Sequence, residues 1–198
     1  NVPGMAVGIV KNDTIVFQKG FGVKNVKSED PIDINTIFGL GSTTKTFTSG
    51  LAAILVNEGI INWDDKVIHY LPEFELYNQY VTNKVTIIDL LSHRVGIEAA
   101  NILWLGSKFN RDEIIKKAKY LKPEYDFRSK YFYNNIMILT AGYLMGKVTG
   151  KTWDSLVNEK IFKPLEMKSS STSIRDLKKF ENFATPHNHE GEKLIPIS

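Results

Sequence analysis

The apolar positions of this chain change period partway along it. Residues 5–10 (Met-Ala-Val-Gly-Ile-Val) and residues 14–21 are rich in β-branched and aromatic side chains, with Lys11-Asn12-Asp13 between them as a turn. That pattern predicts a β-hairpin. After a mixed segment to Asn35 the spacing lengthens, and Phe47, Leu51, Ile54, Leu55 and Ile60 recur near helical intervals, with Gly59 placed to end the helix. Residues 63–74 read as a loop with a short helical turn. Residues 85–92 open another helix, for which Gly96 can serve as terminator. Asn110 or Arg111 begins a charged amphipathic helix that runs to Tyr120 and is broken by Pro123. Residues 135–148 form a long apolar helix capped by Gly150, and a further helix runs from about Thr152 to Ile161. From Ser169 onward the chain is polar and contains Pro186, Gly191 and Pro196.

A hairpin followed by a block of helices predicts an α+β fold. Three segments follow: residues 1–38 as the N-terminal strands of a sheet lobe, 39–168 as a helical lobe, and 169–198 as a return toward the sheet. A two-stranded hairpin is marginal alone and needs more strands or helices on its faces. The sheet is therefore expected to be incomplete within this chain.

Composition adds exclusions. Of the 198 residues 42% are hydrophobic, enough for a core in one domain or two lobes, yet no run approaches the ~20 apolar residues of a membrane span. Net charge is +3, and apart from Lys116, Lys117 and Lys119 beside Lys122 the basic residues are scattered. That run reads as one solvated helix face, not a nucleic-acid patch. With no cysteine, disulfide and thiolate chemistry are excluded. The first residues, Asn1-Val2-Pro3-Gly4, have neither the basic nor the apolar part of a secretory signal. Any targeting peptide is expected to be removed or to lie outside these residues.

Chemistry concentrates at Ser42-Thr43-Thr44-Lys45, an S-x-x-K tetrad that follows a glycine at the start of an apolar helix. Positions i and i+3 share a helix face, so Lys45 can bring its amine beside the Ser42 hydroxyl. Free backbone N–H groups and the positive dipole end at a helix N-terminus favour an oxyanion there. A lysine that acts as base must be neutral part of the time, which requires burial or a neighbouring cation. The plain alternative is an N-cap serine with a solvated lysine. Other motifs are decoys. Met145 stands where a phosphate loop ending in Gly150-Lys151-Thr152 needs its first glycine, and Leu40 and Thr44 deny Ser42 the G-x-S-x-G elbow. Gly39-Leu40-Gly41 lacks the third glycine of a dinucleotide fingerprint. His187-Asn188-His189 has no nearby acidic or cysteine ligand set for a metal.

In its wider context the chain resembles the serine β-lactamase and penicillin-binding protein superfamily, in the branch similar to class C β-lactamases and D,D-carboxypeptidases. The resemblance runs in order through Val2-Pro3-Gly4-Met5, the stretch from Phe38 through Ser42 and Lys45 to Thr48, Tyr70-Leu71-Pro72-Glu73, Ser92-His93, Tyr133-Asn134-Asn135 and Ile161-Phe162-Lys163-Pro164-Leu165. By that resemblance Tyr133-Asn134-Asn135 is the family's Y-x-N triplet, with Tyr133 a proton shuttle for Ser42 and Asn135 orienting Lys45 or the substrate amide. A phenol, ordinarily near pKa ~10, is a useful base only beside cations, which Lys45 could supply. His93 is expected to be structural. Arg94 and Val95 replace the family's usual small polar pair, and Phe127-Arg128 stands where relatives often carry Pro-Gly before the tyrosine.

The resemblance also implies a Lys-Thr-Gly or His-x-Gly triplet on a later strand, and residues 1–198 hold no such triplet in that place. The implied function is a serine hydrolase that works through an acyl-enzyme on amide, ester or β-lactam carbonyls, with no cofactor or metal. Its partner is a small-molecule or peptide substrate, and no nucleic acid. The alternatives are a catalytically silent binding module of the same fold, or a fragment active only with the segment that completes the sheet. Specificity is expected to reside in the loop 104–109, and the location implied by likeness is extracytoplasmic.

Overall fold

The computed structural model describes residues 2–197, the side chain at 178 excepted. Its contacts divide it into two units, residues 1–41 with 167–198, and residues 42–166.

The first unit opens with strands β1 (Gly4–Lys11) and β2 (Thr14–Gly22), paired antiparallel from Lys11 opposite Thr14 to Gly4 opposite Gly22, with a one-residue register shift between Ile9 and Val10. Asn12 and Asp13 both take positive φ, 49° and 58°, which is the two-residue turn whose twist matches a hairpin. Asn and Asp tolerate that region better than other side chains. Ile9, Val10, Ile15, Val16 and Phe17 are all exposed. Residues 182–185 return alongside residues 33–37: Thr36 Oγ1 donates to Asn182 Oδ1 at 3.0 Å, and Ala184 N–H donates to the Ile37 carbonyl at 2.8 Å. A second hairpin, β3 (His187–Glu190) and β4 (Lys193–Pro196), stands within the polar segment that the sequence reads as a return toward the sheet, without strands of its own. Its strands are four residues each, His-Asn-His-Glu and Lys-Leu-Ile-Pro, too short to show alternation.

The second unit is helical: α1 (Lys45–Asn57), α2 (Val67–Tyr70), α3 (Gln79–Lys84), α4 (Ile87–Leu91), α5 (Arg111–Lys117), α6 (Asn135–Thr149) and α7 (Trp153–Val157). Helix α6 is the hub and touches α1, α2, α4, α5 and α7. The core consists of Leu51 and Leu55 from α1, Ile87 and Leu90 from α4, Ile136, Met137, Leu144 and Met145 from α6, and Leu156 from α7, all essentially inaccessible. Each such side chain contributes roughly 1.5–3 kcal/mol by leaving water. Gly150 ends α6 in the left-handed conformation, φ 69°, as a C-terminal glycine should. The α+β class holds, and the two small sheets do not share a strand. Among the described residues no helix is long and apolar enough to cross a membrane.

Two expectations need correction. Gly96 does not terminate α4. That helix stops at Leu91, and His93, at φ 56°, makes the left-handed turn beyond it. Gly96, at φ 81°, is required by a close approach, since a Cβ there would lie 2.4 Å from the Tyr125 carbonyl oxygen. Ser42 likewise does not begin an α-helix. It sits in a 3-10 turn, Gly41–Thr44, and the α-helix starts at Lys45.

Candidate active site

The 3-10 turn and the start of α1 present Ser42 and Lys45 on one side. Lys45 Nζ donates to Ser42 Oγ at 3.1 Å. Tyr133, which precedes α6, places its hydroxyl 2.6 Å from the same Oγ, and either oxygen can be the donor. Lys45 Nζ also lies 4.6 Å from the centre of the Tyr133 ring. Lys45, three residues on, and Tyr133, 91 residues on, thus share the Ser42 hydroxyl. The Tyr133 phenol is held below its ordinary pKa, first by a hydrogen bond with Lys45 and then by that with Ser42. Asn135, the other expected member, borders the same cavity as Lys45, and the hydrogen bond its side chain makes, at 3.5 Å, is to Asn101 Oδ1 rather than to Lys45.

What aims Tyr133 is mostly outside the motifs. Asn134, 2% exposed, caps α6 by accepting the Met137 N–H at 3.1 Å. Its amide donates to the carbonyls of Ile97 and Glu98, each at 3.1 Å, and its backbone N–H donates to His93 Nδ1 at 3.1 Å. The His93 ring then packs 4.8 Å from that of Tyr133. Burial, and next the charge of Lys45, keep His93 below its ordinary pKa, so it stays the neutral acceptor that Asn134 needs.

The segments around His93 and before Tyr133 are tied to one carboxylate. Asp89 is wholly buried; its Oδ2 accepts the Thr86 N–H and hydroxyl, each at 2.9 Å, and Arg128 Nη2 at 2.7 Å. Its Oδ1 accepts Arg128 Nε at 2.9 Å and also Arg94 Nε. Arg128 N–H donates to the Arg94 carbonyl at 2.8 Å, and Phe132 N–H to the His93 carbonyl at 2.7 Å. Arg94 and Arg128, one from each of the two residue pairs at which the resemblance above departs from the family pattern, therefore meet on Asp89. Burial pushes the Asp89 carboxyl up, but hydrogen bonds from Arg128, Thr86 and Arg94 outweigh it and hold the group below its ordinary value. Sequence reading missed this clamp, whose only local signal is Thr86 three residues ahead of Asp89, the spacing of a capping box.

A helical unit organised on α6, with an S-x-x-K serine and a tyrosine from the Y-x-N triplet converging on it, defines a β-lactamase-like protein. The sequence model of the Beta-lactamase family matches residues 1–194, and the chain belongs to that family. It is 32% identical over 186 residues to the "Unguisins hydrolase ungD'" of Aspergillus campestris, covering 89% of this chain and 34% of that protein. To a Beta-lactamase of Psychrobacter immobilis it is 27% identical over 193 residues, 98% of this chain and 46% of the other. Among solved structures, the octameric penicillin-binding protein homologue from Pyrococcus abyssi superposes with a TM-score of 0.86 at 28% identity, over 98% of this chain and 46% of that one. The chain thus spans between a third and a half of the length of these relatives.

Proposed function

We propose that this chain carries the nucleophile and proton-transfer groups of a serine hydrolase that acts on amide, ester or β-lactam carbonyls through an acyl-enzyme. The observation that carries the reading is the contact of Ser42 Oγ with both Tyr133 Oη at 2.6 Å and Lys45 Nζ at 3.1 Å. Tyr133, its pKa lowered first by its hydrogen bond with Lys45 and then by that with Ser42, takes the serine proton while the Lys45 ammonium stabilises the phenolate. Ser42 Oγ bonds to the carbonyl carbon, the leaving group departs with the proton returned by Tyr133, and water later releases the acyl group by the same route. Asn135, at the border of the site, is the residue we assign to the substrate amide or to Lys45. Relatives named for hydrolase and β-lactamase activity support the class of reaction. An extracytoplasmic location accompanies this reading.

The test is intact-mass analysis after incubation with a fluorescent penicillin and with an activated ester. A stoichiometric adduct on the wild-type chain, absent from Ser42→Ala, supports the mechanism. Binding without an adduct on a folded chain favours the other reading, a silent binding module.

A further inference from the structure

Ahead of α5, residues 99–110 of the helical unit carry no acidic side chain and one basic one, Lys108. Ile102 is 83% exposed and Leu105 68%, and Trp104 and Phe109 are exposed with them. A lone exposed leucine needs no explanation, but four large apolar side chains so close together in sequence do. Of the four, Trp104 alone borders the cavity beside Lys45 and Asn135. Substrate binding in that cavity therefore does not account for Ile102, Leu105 and Phe109.

Several polar groups of the segment are matched within it. A 3-10 turn, Asn101–Leu103, opens it, and the Leu103 N–H donates to the Ala100 carbonyl at 3.0 Å. The Trp104 and Leu105 N–H groups donate to the Asn101 carbonyl at 3.2 and 2.9 Å, and that of Phe109 to Ser107 Oγ at 2.9 Å. The Trp104 indole N–H donates to Asn101 Oδ1 at 3.2 Å. Groups bonded in this way lose little when water is replaced by an apolar medium, whereas bare ones cost several kcal/mol in lipid and would keep the loop in water. The charge around the loop is positive. From residue 98 to 122 six basic side chains stand against three acidic ones, Glu98, Asp112 and Glu113. Asp112 is held by Lys116 at 2.6 Å, and Glu113 accepts the Asn110 N–H at 2.8 Å. Lys117 Nζ lies 4.3 Å from the centre of the Phe109 ring, and neither Lys117 nor Lys108 has a carboxylate partner among the described residues.

We propose that residues 102–109 dip into the headgroup layer of an anionic lipid surface and hold the helical unit against it. Leucine, isoleucine and phenylalanine reaching past an indole, with lysines beside them, is the make-up of segments that lie in that layer. The two unpaired lysines and the absence of any acid between residues 99 and 110 suit a negative surface. Such contact is peripheral and needs no spanning helix. Asn101 Oδ1, which holds the Trp104 indole, also accepts from Asn135 Nδ2 at 3.5 Å, so the anchored loop lies one hydrogen bond from the candidate site. The proposal stands apart from the acyl-enzyme reading, since no step of catalysis enters it.

The experiment floats the chain through a density gradient with vesicles of phosphatidylcholine alone, or of phosphatidylcholine and phosphatidylglycerol in equal parts. Binding to the mixed vesicles should exceed binding to the neutral ones, and added salt should reduce it toward the neutral level. Ile102→Asn and Leu105→Asn leave the net charge unchanged and should each weaken the partition by about tenfold. Lys108→Gln and Lys117→Gln should each cost about fivefold on the mixed vesicles and little on the neutral ones. All four side chains are exposed, so the variants should keep the wild-type circular dichroism. If one does not, the others and the fluorescence still decide. Trp104 emission should move to shorter wavelength on adding mixed vesicles, and Trp104→Phe should lose that shift although Trp63 and Trp153 remain. No binding to either vesicle overturns the proposal. So does binding that both asparagine variants retain, because net charge alone then explains it. Self-association in sedimentation that Leu105→Asn abolishes, with no vesicle binding, would assign the patch to a second copy of the chain and overturn the lipid surface.

Discussion

Replacing Asp89 by Asn isolates the clamp behind Tyr133. The side chain is wholly buried and its carboxylate accepts from Thr86, Arg94 and Arg128. Removing one partner of a buried ion pair typically costs about 3–5 kcal/mol. The arginine side chains, however, remain 37% and 44% exposed and regain water when released, which discounts that figure. Asn also keeps one oxygen for the cap. The expected loss is about 2–3 kcal/mol at neutral pH, or roughly 6–10 °C in Tm for a domain of this size. The pH dependence gives a second, independent mark. Because the folded carboxyl titrates below its ordinary value, the stability it contributes is present above about pH 4 and is lost as pH falls through the folded pKa. Urea unfolding of both proteins should therefore show a gap that is full at pH 7 and narrows steadily under acid. A gap below about 0.5 kcal/mol at pH 7, or one indifferent to acid, would show that the carboxylate is not what holds these loops.

Tyr133→Phe removes the 2.6 Å contact with Ser42 and should slow acylation by about 10²–10⁴-fold. In the wild-type chain the acylation rate should climb with pH below the ordinary phenol value, and stopped-flow measurements should find that limb missing in the variant. Gly96→Ala places a methyl 2.4 Å from the Tyr125 carbonyl at a positive φ, and a loss of about 1–3 kcal/mol is expected in denaturant unfolding.

Much of the helical unit was legible because long periodic runs carry their own signal. Phe47, Leu51 and Leu55 marked α1, Asn110 marked the start of α5 and Gly150 the end of α6. Helix α3 was not legible. Its sequence, Gln-Tyr-Val-Thr-Asn-Lys, buries only Val81 and Thr82, too few positions to show a period. Gly96 was misread because a glycine near a helix end looks alike whether it caps the helix or makes room for a passing carbonyl. Ser42, Lys45 and Tyr133 were visible as motifs, and the structure brings their polar ends together. The groups that aim them were not visible. Asp89 and Arg128 lie 39 residues apart, and nothing local to either announces the other. Asn134 was passed over as the middle letter of a triplet, yet it makes more hydrogen bonds than Asn135 does.

The first hairpin carries a different consequence. Its turn is local and forms on the microsecond scale, well before α1 and α6 can meet across 90 residues of chain. Ile15, Val16 and Phe17 run without a charge between them and remain exposed, and within the described residues each strand of the pair has one outer edge unmatched by another strand. Such an edge is a template for a second molecule. Expressed as these residues, the chain should lose soluble yield steeply with protein concentration during refolding, through strand addition at β1 and β2 rather than through any weakness of its helices.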